Sequence, residues 1–544
     1  MYIKRANLIP FLGWILSLLL IVLFSLLVFA TLTPQQISVY INSDTLYLPS
    51  IFRDVFIDGS GLKGWNLNAA PNFFPDFLIY SAINFVFTDF RLAALIYSLL
   101  QILIIALLFN AILKALSKDV GYAHLTVTNL LLLLFPLSAL ISGDFIFTFY
   151  IYSISYHTGA FIMAMVSLLI SLRALNMQGK WNLMLLAISV FLGVFNDKLF
   201  IPAFVFPLVA VIPYLFDNEK RAIARQLLIT TISFTVISLV AFWGIKKLGF
   251  ISIISTDWKM FNFSNIIPSF NVMFTQYANY IKNGSVSGVV IILTLFVFIV
   301  LSVYLFPILR QIYRDVKGRS RVRLSTQNAF ALFAWFFIPV VVFTPVINGS
   351  YFSPAILRFN IHAYYFGVLL TGFLLFLLFR NRKGVANLSG VSVVIALVLL
   401  VSIYNKRKTD VSLQPLLGYY PERIACIDSV ALETQCKYGI ATYWDAKLTT
   451  MLSKQGVRLY HVFPDLKIWY HVTNKNWYYK QGKGIHANPK FRLIVMNGFD
   501  SSKVVQVLGR PLEILTFPEM GTEVWLMNEF EFDVETRAPS VIRP

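Results

Sequence analysis

The chain has 544 residues, of which 58% are hydrophobic and 13% charged; soluble globular proteins carry roughly 45–50% and about 25%. With a mean hydropathy of +0.71 it is neither a soluble enzyme nor a disordered segment. A net charge of +19 and a pI of 9.7 suit phosphate-backbone binding or, in a membrane protein, record Lys and Arg collected on the cytoplasmic side.

A membrane-crossing helix needs about 20 largely apolar residues. The first candidate, residues 9–31, is uncharged and follows Lys4 and Arg5. It is too long for a signal-peptide core and lacks a small-x-small cleavage site, so it reads as a retained span. A long outer loop, 31–91, comes next. Apolar residues recur at helical spacing over 45–57, which suits an amphipathic helix in the membrane interface. Residues 77–87 suggest a second such helix. The Gly/Pro/Asn-rich segment GSGLKGWNLNAAPNFFP between them reads as turns. Ten further spans are expected at 92–113, 123–142, 158–175, 181–195, 201–216, 227–245, 286–309, 329–347, 361–379 and 390–404. The fifth and sixth of the eleven are short.

The tail from Asn405 has no span-length apolar run. FRLIVMN, DSSKVVQVLG, LEILTF and TEVWLM read as strand, helix, strand, strand, with Asp500 or Ser501 as N-cap and Gly509 as the stop. The expected architecture is a polytopic all-α membrane domain, 1–404, with interfacial helices in its first outer loop. A C-terminal α/β domain, 405–544, follows. Cys426 and Cys436, nine residues apart, are either a disulfide or two buried thiols.

Charge placement tests the span count. With a cytoplasmic N-terminus, the inner segments hold 18 Lys and Arg against four acids. The outer loops before Tyr404 hold nine against eight, and the tail 18 against 14. The basicity is therefore mostly topology, which removes the nucleic-acid reading. The implied location is a bacterial cytoplasmic membrane, crossed many times, with the C-terminal domain periplasmic.

The outer loops carry the unusual chemistry. The first holds Asp44, Asp54, Asp58, Asp76 and Asp89. Asp44 stands out, a dozen residues after the first span. It is either a helix N-cap, like its neighbours Ser43 and Thr45, or a general base whose proton affinity is raised beside hydrocarbon. Asp144, Tyr156 and His157 follow the third span. Asp197 and Lys198 link the fifth and sixth, and Arg358 and His362 border the tenth. Ionisable groups at membrane depth are functional candidates, against the plainer readings of a helix-end pair and a snorkelling cation.

INSDTLYLPSIFRDVF and WNLNAAPNFFPD in the first loop, SYHTG, NDKLF and the basic residue before the tenth span sit in a layout that resembles the GT-C class of membrane glycosyltransferases. Protein mannosyltransferases and the lipid A aminoarabinose transferase belong to that class. The tail pieces IATYWDAKLTTMLSKQGVRLYHVFP and FRLIVMNGFD are similar to those of uncharacterised bacterial membrane proteins of the same layout. The resemblance implies a GT-C-like fold and sugar transfer from a polyprenyl-phosphate donor to a glycan, lipid or protein acceptor, by single displacement. Asp44 is then the base, with Asp54 and Asp58 as competing acids. Lys198, Arg358 and His157 bind the donor phosphate. Trp65, Asp76, Asp144, Tyr156, Asp197 and His362 line the sugar or acceptor site, with Trp444 and Asp445 of the tail helping to shape it. The family's acidic pair is replaced here by Ser43-Asp44, so no cofactor is firmly implied; a divalent metal stays open but without support. Two other classes compete. A transporter or lipid-linked glycan flippase shows repeated halves and broken midplane spans. A polysaccharide ligase or polymerase places its catalytic loop late in the chain.

Overall fold

The computed structural model describes all residues except 1–7, 177–178, 216–220, 250–251, 255–261, 318–323, 380–383, 480–488 and 543–544. Lys4, Arg5 and several inner-loop cations lie outside the described residues. Among those described, nine helices are long and apolar enough to cross a membrane: Leu8–Ala30, Phe90–Leu116, Tyr122–Ser142, Thr158–Asn176, Arg221–Leu248, Val286–Arg314, Thr326–Ile347, His362–Phe379 and Gly384–Arg407. The other two expected spans fall short. Residues 180–196 form one helix of 17 residues. The 201–216 stretch breaks into a π-turn Ile201–Val205, an α-helix Phe206–Val211 and a 3-10 turn Ile212–Leu215. Pro202, Pro207 and Pro213 remove a backbone donor in successive turns, so no regular helix runs through them.

The chain divides into two compact units. A membrane unit comprises Met1–Leu32, Asn72–Trp243 and Asp257–Leu413. The other comprises Thr33–Pro71, Gly244–Thr256 and Gln414–Pro544. The boundary expected near residue 404 therefore captures only part of the division, because two earlier segments belong with the tail.

In the membrane unit the spans turn polar groups toward one another and apolar ones outward. Asn129 Nδ2 donates to Ser17 Oγ at 2.9 Å, Ser167 Oγ to Ser189 Oγ at 2.9 Å, and Ser25 Oγ lies 2.6 Å from Tyr152 Oη. Ile232, Val236 and Val240 on one helix, and Val303 and Phe306 on another, are exposed. That pattern suits hydrocarbon as the solvent. The helix Leu78–Val86, expected from the sequence, follows the same rule. It buries Tyr80, Ser81 and Asn84 and exposes Leu78, Phe85 and Val86.

The second unit is built on two sheets. The smaller one explains its discontinuous composition. Strand β1 (Trp65–Leu67) of the first loop pairs in parallel with β2 (Ser252–Ile253) and antiparallel with β5 (Thr473–Asn474). β1 lies inside the segment read as turns. It is three residues long, too short to show an alternation. The larger sheet contains β3 (Tyr438–Ala441), β4 (Arg458–His461), β6 (Phe491–Val495), β7 (Glu513–Phe517), β8 (Thr522–Phe532) and β9 (Pro539–Val541). Its order is β4-β3-β6-β8-β7, with β9 also on β8. β3 runs parallel to β4 and β6, and the remaining pairs are antiparallel. Leu493 and Val495 of β6 and Val524 and Leu526 of β8 share a core with Ile427, Val430 and Ala431 of the helix Glu422–Thr434.

The strand–helix–strand–strand order expected for 491–527 is present. Asp500 accepts from Ser502 N at 2.9 Å, and Gly509 ends the helix at φ +81°, where a Cβ is unfavourable. The 45–57 segment departs from the expectation. It forms a helix Tyr47–Phe52 running into a π-turn Arg53–Ile57, and all six residues of the first part are buried. Tyr47–Phe52 is thus a buried helix, whereas Phe56 and Ile57 in the following turn are exposed. Both cysteines are free thiols, Cys436 buried and Cys426 half-buried.

Candidate functional site

The membrane unit gathers acid–base groups at one end of its spans. His157 lies in the turn between the helices Phe145–Tyr152 and Thr158–Asn176. It adopts φ +69°, and Ser155 two residues earlier φ +71°. Left-handed backbone at non-glycine residues costs about 1–3 kcal/mol each and clusters at functional sites. His157 Nδ1 lies 2.6 Å from Oδ2 of the buried Asp197 at the end of the helix Lys180–Asn196. The other oxygen of Asp197 accepts from Leu199 N at 2.9 Å. Burial opposes its charge, yet His157 and these bonds hold the carboxyl below its ordinary value. His362 begins the span His362–Phe379, is buried, and stands within charge range of His157 and Asp197. Its Nε2 has no hydrogen-bond partner among the described residues.

Asp76 completes this group from the π-turn Phe73–Phe77. Tyr97 Oη donates to its Oδ1, while its Oδ2 is buried without a partner among the described residues. Burial pushes this carboxyl up to about 7; the Tyr97 bond opposes the rise and the charge of Asp197 adds to it. A Cβ on Gly159 would collide with the Asp76 carboxylate, so only glycine admits the carboxylate there. Asn196 Oδ1 accepts from Phe74 N at 2.9 Å and ties this turn to the end of the Asp197 helix.

Arg358 lies beside the group, and the exposed Lys198 follows Asp197 in the chain. The Arg358 guanidinium lies 5.0 Å from the Phe359 ring, which itself packs 5.0 Å from the His157 ring. Arg358 Nε is buried without a partner among the described residues. Lys198 Nζ sits 3.4 Å from the centre of the Phe242 ring. Tyr156 is buried against Phe149 and Tyr150. Asp144 precedes the helix Phe145–Tyr152 without capping it and is within charge range of Tyr280.

The second unit holds the other predicted acids, and treats them differently. Asp44 does not cap the helix that follows. Asn42 Oδ1 accepts from Asp44 N at 2.8 Å and Thr45 N at 3.0 Å, and Thr45 Oγ1 accepts from Asn42 N at 2.9 Å. The half-buried Asp44 side chain instead takes the Tyr443 hydroxyl on Oδ1 at 2.7 Å. One turn beyond Tyr443, Lys447 is buried with Nζ 5.1 Å from the Tyr443 ring centre. Burial pulls its ammonium down to about 7, against the charge of Asp44. His461 and His471 pack on Tyr443 at 5.2 and 5.1 Å. Burial, then the Lys447 charge, lowers His471 to about 4 and lowers His461 as well.

Asp54 and Asp58 are each held by several donors. Asp54 is buried and accepts from Trp65 Nε1 at 2.7 Å, Trp477 Nε1 at 2.8 Å and Asn474 Nδ2 at 2.9 Å. Asp58 accepts two guanidinium bonds from Arg458, at 3.0 and 3.2 Å, and pairs with Arg53 at 3.8 Å. Trp65 is wholly buried, so it offers no open face to a sugar. Asp445 pairs with Arg423, while Trp444 is exposed.

The predicted site residues thus fall in both units. His157, Asp197, His362 and Asp76 come together with Arg358 nearby, while Lys198 is exposed over the Phe242 ring. Asp44, Asp54, Asp58 and Trp65 belong to the unit with the tail. Sequence reasoning missed Tyr97, Gly159, Tyr443, Lys447, His461 and His471. Tyr97 is hidden in an apolar span, and Lys447 in a helix reads as a solvated residue until its burial is seen. Among the described residues no three His, Cys, Asp or Glu side chains converge to hold a metal ion. No protein-family model matches the chain, and no curated protein matches it.

Proposed function

We propose that the protein is a GT-C-type membrane glycosyltransferase that moves a sugar from a polyprenyl-phosphate donor to an envelope acceptor. The observation that carries this reading is the His157–Asp197–Asp76–His362 group of the membrane unit, in which Asp197, Asp76 and His362 are buried and Arg358 stands near the His157 ring. Lipid phosphate leaves such a reaction as an anion, and cations in a poorly hydrated site stabilise that charge strongly. Arg358, Lys198 and His157 take that role. Asp197 holds the His157 ring in place. Asp44 takes the proton of the acceptor hydroxyl; its turn is closed by Asn42, which leaves its side chain to Tyr443 and the neighbourhood of Lys447. The acceptor oxygen forms its bond to the anomeric carbon as the bond to the phosphate oxygen breaks. One base suffices for this displacement.

The reaction lies at the outer face of a bacterial cytoplasmic membrane, with the N-terminus inside. Nine spans or eleven are both odd numbers, so the short pair 180–196 and 201–215 does not alter the side on which the tail emerges. Positive charge on the inner segments sets the orientation.

The test is transfer of labelled sugar from polyprenyl-phosphate donors by the purified full chain, with mixed envelope acceptors. Arg358→Ala and Lys198→Ala each lower kcat/KM about 10–100-fold, the size of a lost charge-assisted contact. Transfer that persists in Asp44→Asn together with both cation variants eliminates this reading. A proton-coupled transporter is the second reading, favoured by the two buried carboxylates and two histidines of the membrane unit. It requires pH-driven flux into sealed vesicles without any glycosidic product.

A further inference from the structure

A small cavity in the second unit is lined by Arg53, Asp54, Asp58, Lys447, Arg458 and His461, together with the Ser50 and Thr450 hydroxyls. Three cations face two carboxylates there. Asp58 is already shared by Arg458 and Arg53, and three neutral N–H groups converge on Asp54. Lys447 Nζ carries three donors, is buried, and has no hydrogen-bond partner among the described residues; His461 Nε2 is in the same position. Asp44 is within charge range of Lys447 but does not line the cavity, and its Oδ1 takes the Tyr443 hydroxyl. Burial and the adjacent Arg458 both work against the charge of Arg53. The wall is therefore rich in donors and short of one acceptor, a costly arrangement for buried cations.

Size selects among the anions that could supply that acceptor. The cavity measures about 20 Å³, and one water-sized sphere needs about 10–15 Å³ by the same measure. A monatomic anion is the smallest that this space takes. We infer that this cavity binds a small monovalent inorganic anion of chloride size, held by Lys447 Nζ and the guanidinium groups of Arg53 and Arg458. The site joins the π-turn of the first loop to β4 and to the helix Tyr443–Leu452, so the anion fastens a first-loop segment to the tail fold. It does not depend on the transfer reaction.

The experiment is thermal unfolding of the full chain in detergent, with chloride replaced by gluconate at fixed ionic strength. For a ligand that binds only the folded state, the melting temperature of a chain this long rises about 1 °C for each tenfold increase in chloride above its Kd. Lys447→Met abolishes that dependence. Sulfate leaves the protein at its gluconate value. Equal dependence in wild type and Lys447→Met, or no dependence in wild type, overturns the proposal. A sulfate effect that Lys447→Met removes also overturns it, because the cavity would then admit an oxyanion. Should the variant fail to fold, bromide-soaked crystals of the wild type decide. One anomalous peak in contact with Lys447 Nζ supports the site, and its absence overturns it.

Discussion

The two units both bury carboxylates, but they complete them differently. In the second unit Asp54 receives three N–H donors and Asp58 two arginines. In the membrane unit Asp76 receives one hydroxyl and keeps a buried oxygen without a partner among the described residues, and Nε2 of the buried His362 also lacks one. A saturated buried carboxylate has no remaining valence for a substrate and acts as a structural hub. An unsaturated one carries a standing desolvation cost, which points to chemistry or binding. Completeness of hydrogen bonding, more than residue type or loop position, therefore separates Asp54 and Asp58 from Asp76.

The largest expected effect tests the structural side. Asp54→Ala leaves three buried N–H groups without an acceptor, and unfolding in denaturant shows a loss of about 3–5 kcal/mol. A variant of near wild-type stability would break the contrast between the units. Asp44→Asn probes the opposite case. Transfer falls about 10²–10⁴-fold while the melting temperature stays close to wild type, because the amide still accepts from Tyr443.

Gly159→Ala addresses the membrane unit. Its Cβ meets the Asp76 carboxylate, and a cost of about 1–3 kcal/mol is expected in thermal unfolding. Pairing it with Asp76→Ala relieves most of that loss if the carboxylate is the obstacle.

The last prediction sharpens the comparison through pH. Burial depresses Lys447 to about 7, against 10.5 in its ordinary state. Between those values the unfolded chain binds the extra proton, so this group makes stability rise with pH over that window. The limit is about 1.4 kcal/mol per pH unit. In chloride-free buffer the difference between wild type and Lys447→Met moves in favour of wild type from pH 7 toward pH 10. A difference that is flat with pH would show that the ammonium is not desolvated.

The candidate site was legible in outline. His157, Asp197, Arg358 and His362 stand out because ionisable residues are rare in so apolar a chain, and that rarity needs no coordinates to see. Asp76 also lies in the first loop, but its distinguishing feature is a tyrosine from an apolar span and a glycine from another helix. Neither announces itself in one dimension. Asp44 could be named from its position. Its release from capping duty could not, because Asn42, Ser43, Asp44 and Thr45 are all capping residues and only backbone direction shows which one closes the turn.

The sequence alone determined the membrane character, the long apolar helices and the strand and helix pieces of 491–527, because these follow from local hydrophobic periodicity and capping. Only the tertiary structure decided that Trp65–Leu67 and Ser252–Ile253 pair with a strand near residue 473, and so which unit each first-loop acid joins. It also decided which buried charges are complete. Pairing across hundreds of residues and the saturation of a carboxylate depend on donors from distant segments, and no local pattern encodes where those donors arrive.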